Sequence, residues 1–150
     1  MPEIWGVRLV GSLPLRVSAE DVVLEMLRRK GVAGGVGRII ESYGSGLDAF
    51  SAMDRHVIAD MGAELGATGT VFPADHAVRD FNLITADLGA RYDVGEQIDL
   101  STLEPLIARP GSPGNVVTVR EVAGPQPPRP LRPTTMRSGS TPRRPPRPPR

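Results

Sequence analysis

The stretch EIWGVRLVGSLPLRVSAEDVVLEMLRRKGVAGGVGRIIESYG, residues 3–44, holds three kinds of segment in an order that decides the fold. Its start, EIWGVRLVG, is rich in strand formers and ends on a glycine, and Pro14 then breaks regular structure, so a strand gives way to a loop. Ser18 stands before AEDVVLEMLRRK with Asp21 three residues on, the spacing of a capping box. The hydroxyl can take a free amide of the first turn while the carboxylate answers back. Val22, Val23, Met26 and Leu27 recur at helical spacing. Arg28, Arg29 and Lys30 suit the negative end of the helix dipole, and Gly31 stops the turn. RIIESYG then returns to strand composition, so the stretch predicts strand, helix, strand.

The intervening GVAGGVG, residues 31–37, invites comparison with a phosphate loop, because bare glycine backbone can approach an anion where a strand leads into a helix. Here the loop leaves a helix and enters a strand, and it has neither the lysine nor the hydroxyl of such loops. It reads as a plain connector.

Further along, Ser51 and Asp54 repeat the capping pattern and start a helix expected to run to about Leu65, after which ATGTVFP, residues 67–73, is strand-like. Asp75 is placed to cap a short helix over HAVRDFNLI, residues 76–84. TADLGARYDVGEQIDL loses periodicity and is expected to hold a loop and a short extended piece. STLEPLIARPGSPGN is broken by Pro105, Pro110 and Pro113, and VVTVREV, residues 116–122, reads as one more strand. Strands alternating with helices indicate a layered α/β architecture, with no internal repeat.

The 150 residues fit one domain, but the composition divides them. All seventeen acidic residues lie between Glu3 and Glu121. The last 26 residues, PQPPRPLRPTTMRSGSTPRRPPRPPR, carry seven of the eighteen basic residues, ten prolines and no acid. The formal charge of +1 therefore hides an acidic body, residues 1–124, and a basic tail, residues 125–150, that is expected to be disordered. With no cysteine, the chain can form no disulfide, offers no thiolate nucleophile and lacks the usual protein ligands of an iron–sulfur cluster. No apolar run is long enough to span a bilayer and the start does not resemble a secretory signal, so a cytoplasmic location without membrane partners is expected.

The polar residues of HVIADMGAEL give the sharpest local pattern. His56, Asp60 and Glu64 follow at intervals of four and fall on one helical face. Two readings stand: a solvated face with Arg55 or another base screening the acids, or a polar wall of an active site in which a glutamate positions or moves a proton. A dedicated metal site is the weaker reading, because helical metal motifs are tighter and no second ligand cluster follows. His76 has no serine or cysteine partner in a nucleophile motif and reads as a solvated helix start.

The run from WGVRLVGSLPLRV through DMGAELGATGTVFPAD, residues 5–75, resembles an internal stretch of the aconitase family of iron–sulfur hydro-lyases. IDLSTLEPLIARPGSPGNVVTVREVAG, residues 98–124, is similar to the family segment leading towards its first cluster cysteine. The resemblance implies a three-layer α/β/α core, here a partial domain. It also implies dehydration and rehydration of a hydroxy-acid at a [4Fe–4S] cluster, whose substrate-binding iron acts as a Lewis acid. The family pattern NMGAE falls on DMGAE, so the resemblance assigns Glu64 a catalytic role and places Asp60 and Glu64 against the substrate. Asp60 departs from the family's asparagine, and an ionised carboxylate there faces a negatively charged substrate unless it is protonated or paired with a base. His56 receives no role. GATGTVFP looks like the citrate and isocitrate branch rather than the isopropylmalate branch.

A complete family member is several times longer and carries the cluster cysteines elsewhere. The expectation is thus a fragment, inactive alone, that binds no cluster by itself and meets a tricarboxylate only if the missing parts are supplied, for instance by a complementing chain with the cysteines. The tail reads as out-of-frame translation of GC-rich DNA. The alternative takes it at face value, as polyproline II docking on an aromatic groove or arginines contacting nucleic acid. No aromatic residue interleaves for base stacking, so sequence-specific RNA recognition is not supported.

Overall fold

The structure is a computed structural model that describes residues 1–78, 86–87 and 89–124. It realises the strand, helix, strand order of the opening stretch as β1 (Glu3–Val10), α1 (Ala19–Lys30) and β2 (Arg38–Tyr43). Helix α2 (Ala52–Met61) leads to β3 (Gly69–Val71), and β4 (Val94–Asp99) completes a four-stranded sheet in the order β3-β2-β1-β4. Every pairing in it is parallel, with Trp5 beside Ile40 and Val94, Leu9 beside Ile98, and Ile40 beside Thr70. The chain is α/β, as its pattern indicated. A separate antiparallel hairpin, β5 (Leu106–Ala108) and β6 (Val116–Thr118), runs into a single helical turn, α3 (Val119–Val122).

Alternation along β1 sets the core. Trp5, Val7 and Leu9 are fully buried and join Ile40 and Ile98 from the flanking strands, Val22, Val23, Met26 and Leu27 from α1, and Ile58 from α2 in one cluster. Burying side chains of this size stabilises by about 1.5–3 kcal/mol each relative to exposure. On the other face Gly6 lies directly beneath the ring of Tyr92, which stacks on Tyr43 with centroids 4.8 Å apart. Burial, together with Glu41 nearby, pushes the Tyr92 phenol up.

Helix α1 is tied at both ends. Asp21 Oδ2 accepts the Ser18 N–H at 2.7 Å, while Oδ1 accepts the Leu106 N–H at 2.7 Å and so anchors β5 to the start of the helix. Glu25, almost fully buried, accepts from Arg28 Nε and Arg29 Nε at 2.7 Å each, and Arg29 Nη1 reaches Glu96 on β4 at 3.2 Å. Burial alone raises the Glu25 pKa, but the two arginine hydrogen bonds outweigh it and hold the carboxyl below its ordinary value.

Three expectations need adjustment. VVTVREV is not one strand: the ladder ends at Thr118, whose Oγ1 accepts the Glu121 N–H at 3.3 Å, and residues 119–122 coil into α3. A Thr-x-x-Glu cap outweighs the β-branched composition. STLEPLIARPGSPGN contains β5 as well as breaks, since Leu106–Ala108 fits between Pro105 and Pro110. The helix begun at Ser51 stays α-helical only to Met61 and tightens to a 3-10 turn over Gly62–Leu65. Of the helix expected over residues 76–84, His76–Val78 form a 3-10 turn and the remainder lies outside the described residues. The tail, residues 125–150, lies outside them too.

Candidate active-site turn

The cap at Ser51 fixes where α2 starts. Asp54 N–H donates to Ser51 Oγ at 3.2 Å, and Asp54 Oδ2 accepts the Ser51 N–H at 2.9 Å and its hydroxyl at 2.7 Å. That start places Ile58 and Arg55 inward and His56 and Asp60 outward. His56 Nε2 and Asp60 Oδ2 are 3.3 Å apart, both mostly exposed. The first two members of the polar row therefore meet, and Asp60 has a base beside it.

Glu64 follows on the 3-10 turn, exposed, with Leu65 next to it buried. Among the described residues Glu64 forms no ion pair. Because the helix changes period at Gly62, Glu64 does not continue the i, i+4 row as a regular α-helix would. It stands at a helix end, a free carboxylate on a firmly held backbone.

The glycine-rich loop holds that backbone. Gly35 N–H donates to the Leu65 carbonyl at 2.7 Å, and Val36 bridges Ala67. Gly66 closes the turn in the left-handed region, φ +74°, where an L side chain is strained. A Cβ on Gly35 would lie 2.9 Å from the backbone nitrogen of Ala67, so only glycine lets the two segments approach this closely. GVAGGVG is a connector, as its order in the chain indicated, and it is also the clamp behind Glu64.

Of the bases expected to screen the acids, Arg55 is not the one that does so, and His56 is the base beside Asp60. Arg55 is 3% exposed, and its Nη2 donates to the Leu47 carbonyl at 3.1 Å and to Asp75 Oδ2 at 2.7 Å. Asp75 also accepts the Ala77 N–H at 2.8 Å, the capping role expected of it, and His76 is exposed. The hydrogen bond from Arg55 holds the Asp75 carboxyl below its ordinary value against the opposing effect of burial. The sequence carried one signal for this: Arg55 lies three residues before Ile58, on the apolar side of the helix.

The Aconitase family (aconitate hydratase) model matches residues 1–86, which takes in β1 through β3 and the whole clamped turn. The chain belongs to the aconitase family. Relatives carry more than one activity in their names. The mitochondrial aconitate hydratase of Candida albicans is 38% identical over 130 residues, covering 75% of this chain and 17% of that protein. The 3-isopropylmalate dehydratase large subunit 2 of Rubrobacter xylanophilus is 38% identical over 133 residues, covering 83% and 31%. The mitochondrial homocitrate dehydratase of Saccharomyces cerevisiae is 35% identical over 132 residues, covering 75% and 17%. The chain thus spans 17% to 31% of the length of these three relatives.

Proposed function

We propose that this aconitase-family chain supplies one polar wall of a hydro-lyase active site, with Glu64 as the group that positions or moves a proton at the substrate. The observation that carries this reading is the placement of Glu64: an exposed carboxylate, without a partner among the described residues, on a turn that the Gly31–Gly37 loop clamps from behind. A free carboxylate on rigid backbone suits general acid–base work. Asp60 occupies the neighbouring, substrate-facing position. The charge that makes it awkward there is offset by His56 whenever the imidazole is protonated, so the pair can present a hydrogen-bond donor where the family presents an amide.

The family works with a [4Fe–4S] cluster, and the residues here do not fit that group. The chain has no cysteine, and among the described residues no group of three or more His, Cys, Asp or Glu side chains could hold a metal ion. The cluster donors belong to polypeptide outside this sequence, on a longer product or a complementing chain, and this chain is inactive without them. The substrate class is a tricarboxylate of the citrate and isocitrate type, on the strength of GATGTVFP. The compartment is the cytoplasm. No described helix is long and apolar enough to cross a membrane.

A chimera tests the proposal. Residues 1–124 replace the matching part of the S. cerevisiae mitochondrial aconitate hydratase, one of the relatives 38% identical to this chain, and hydration of cis-aconitate is assayed. The expected result is measurable turnover that falls about a hundredfold or more in E64Q. A cluster-loaded chimera in which E64Q is as active as its parent would remove Glu64 from the mechanism.

A further inference from the structure

His56 and Asp60 lie one turn apart on the outer side of α2, both mostly exposed, with Nε2 and Oδ2 3.3 Å apart. The other charges around this helix are engaged elsewhere. Arg55 points inward to Asp75, on which His76 also acts, and Asp54 is held in the Ser51 cap. On α1, packed against α2, Glu25 binds Arg28 and Arg29, and Lys30 Nζ stands 3.8 Å from Glu96; β3, which also packs on α2, carries no charged residue. Beyond Asp60 the next carboxylate is Glu64 on the 3-10 turn. Among the described residues His56 is therefore the base that can change the charge at Asp60.

We propose that His56 is a positioning residue through which pH sets the substrate affinity of the Glu64 site, an inference that rests on the hydro-lyase reading above. An ionised Asp60 repels a tricarboxylate. With His56 protonated the pair is neutral overall, and an imidazolium has N–H donors on both ring nitrogens, one for Asp60 and one for a substrate carboxylate. With His56 neutral the charge of Asp60 is left uncompensated. Histidine is the side chain whose charge changes between pH 5 and 8, so the site holds its substrate more tightly in mild acid than in mild base. The proton at the reacting carbon is handled by Glu64 and not by the pair, so the effect falls on KM and leaves kcat in place.

The test uses the cluster-loaded chimera with cis-aconitate as substrate, and D60N as the reference whose pH profile reports the ionisation of the substrate itself. Relative to D60N, KM of the parent should rise about fivefold from mild acid to mild base, the upper end for an exposed charge pair. H56Q should hold KM at the parental mild-base level throughout, and H56K, which keeps a positive charge, at the mild-acid level. In a D60N background H56Q should change nothing, and kcat should stay within about twofold across the set. The dissociation constant of propane-1,2,3-tricarboxylate, which cannot be dehydrated, should follow KM when measured by equilibrium dialysis. Both side chains are exposed, so the variants are expected to fold, and melting temperatures check this. A KM profile shared by the parent and D60N, an H56Q effect undiminished in D60N, or a fall in kcat without a change in KM each overturns the proposal. E64Q, assayed beside them, tests the Glu64 reading separately: its loss of turnover does not depend on His56.

Discussion

Arg55 and His56 are adjacent on α2, and the helix sends the first into the core and the second into solvent. The difference lies in what each finds there. Arg55 meets the Leu47 carbonyl and the Asp75 carboxylate, a partner twenty residues away that no local pattern could pair with it. Among the described residues His56 pairs with Asp60, one turn along, and i, i+4 spacing made that contact legible in the sequence. The Arg55–Asp75 pair has a pH signature. Because the folded pKa of Asp75 is below the unfolded one, the unfolded chain binds more protons in acid. The stability from this group is complete above the unfolded pKa of about 4 and is lost as pH falls through the folded value. D75N is therefore expected to lower the melting temperature near neutral pH and to flatten its fall on acidification. Melting curves across that range check this, and a D75N profile parallel to that of the parent would contradict it. D60N, by contrast, changes an exposed residue and should alter stability by less than about 0.5 kcal/mol in a denaturant titration.

Elements were legible where a periodic pattern and a cap agreed, and obscure where they conflicted. Ser18 with Asp21 and Ser51 with Asp54 mark the starts of α1 and α2, and the apolar spacing behind each cap supports the same reading. At residues 116–122 the β-branched run suggests a strand throughout, while Thr118 and Glu121 encode a helix start, and the cap decides the second half. The hairpin was obscured by the prolines around it, since β5 is only three residues long and is held by a long-range bond from Leu106 N–H to Asp21. T118A removes the cap and should cost about 1 kcal/mol, read as a lower denaturation midpoint with an unchanged slope. The nearby Arg120–Glu104 pair, exposed on its arginine side, should contribute far less. An R120A loss as large as that of T118A would show that the ion pair holds α3 as firmly as the cap does.

For the whole molecule, what matters is that a loop between α1 and β2 controls a turn between α2 and β3. Sequence order indicated that GVAGGVG is a connector, but the seam it makes with residues 62–67 depends on the parallel sheet bringing two connections together at one edge, which no window of sequence contains. The role proposed for Glu64 comes from the family pattern; the contacts behind its turn are visible only in the fold. The clamp predicts a mutational effect at a distance. In G35A the new methyl must push against the backbone of Ala67, at a distance that real Cβ contacts avoid, so the Leu65 hydrogen bond and the turn bearing Glu64 shift together. Overpacking of this kind costs about 1–3 kcal/mol, but if Glu64 acts as proposed the loss in activity should exceed what destabilisation explains, because misplacing a reacting group by about 1 Å can slow a reaction by about a hundredfold. The comparison is with T118A in the same chimera, which loosens the hairpin end of the molecule and leaves the clamp intact. At a temperature where both variants remain folded by circular dichroism, kcat for cis-aconitate hydration should drop by tenfold or more in G35A and stay near the parent value in T118A. Equal losses in the two would mean that stability alone governs activity and that the loop has no part in holding Glu64.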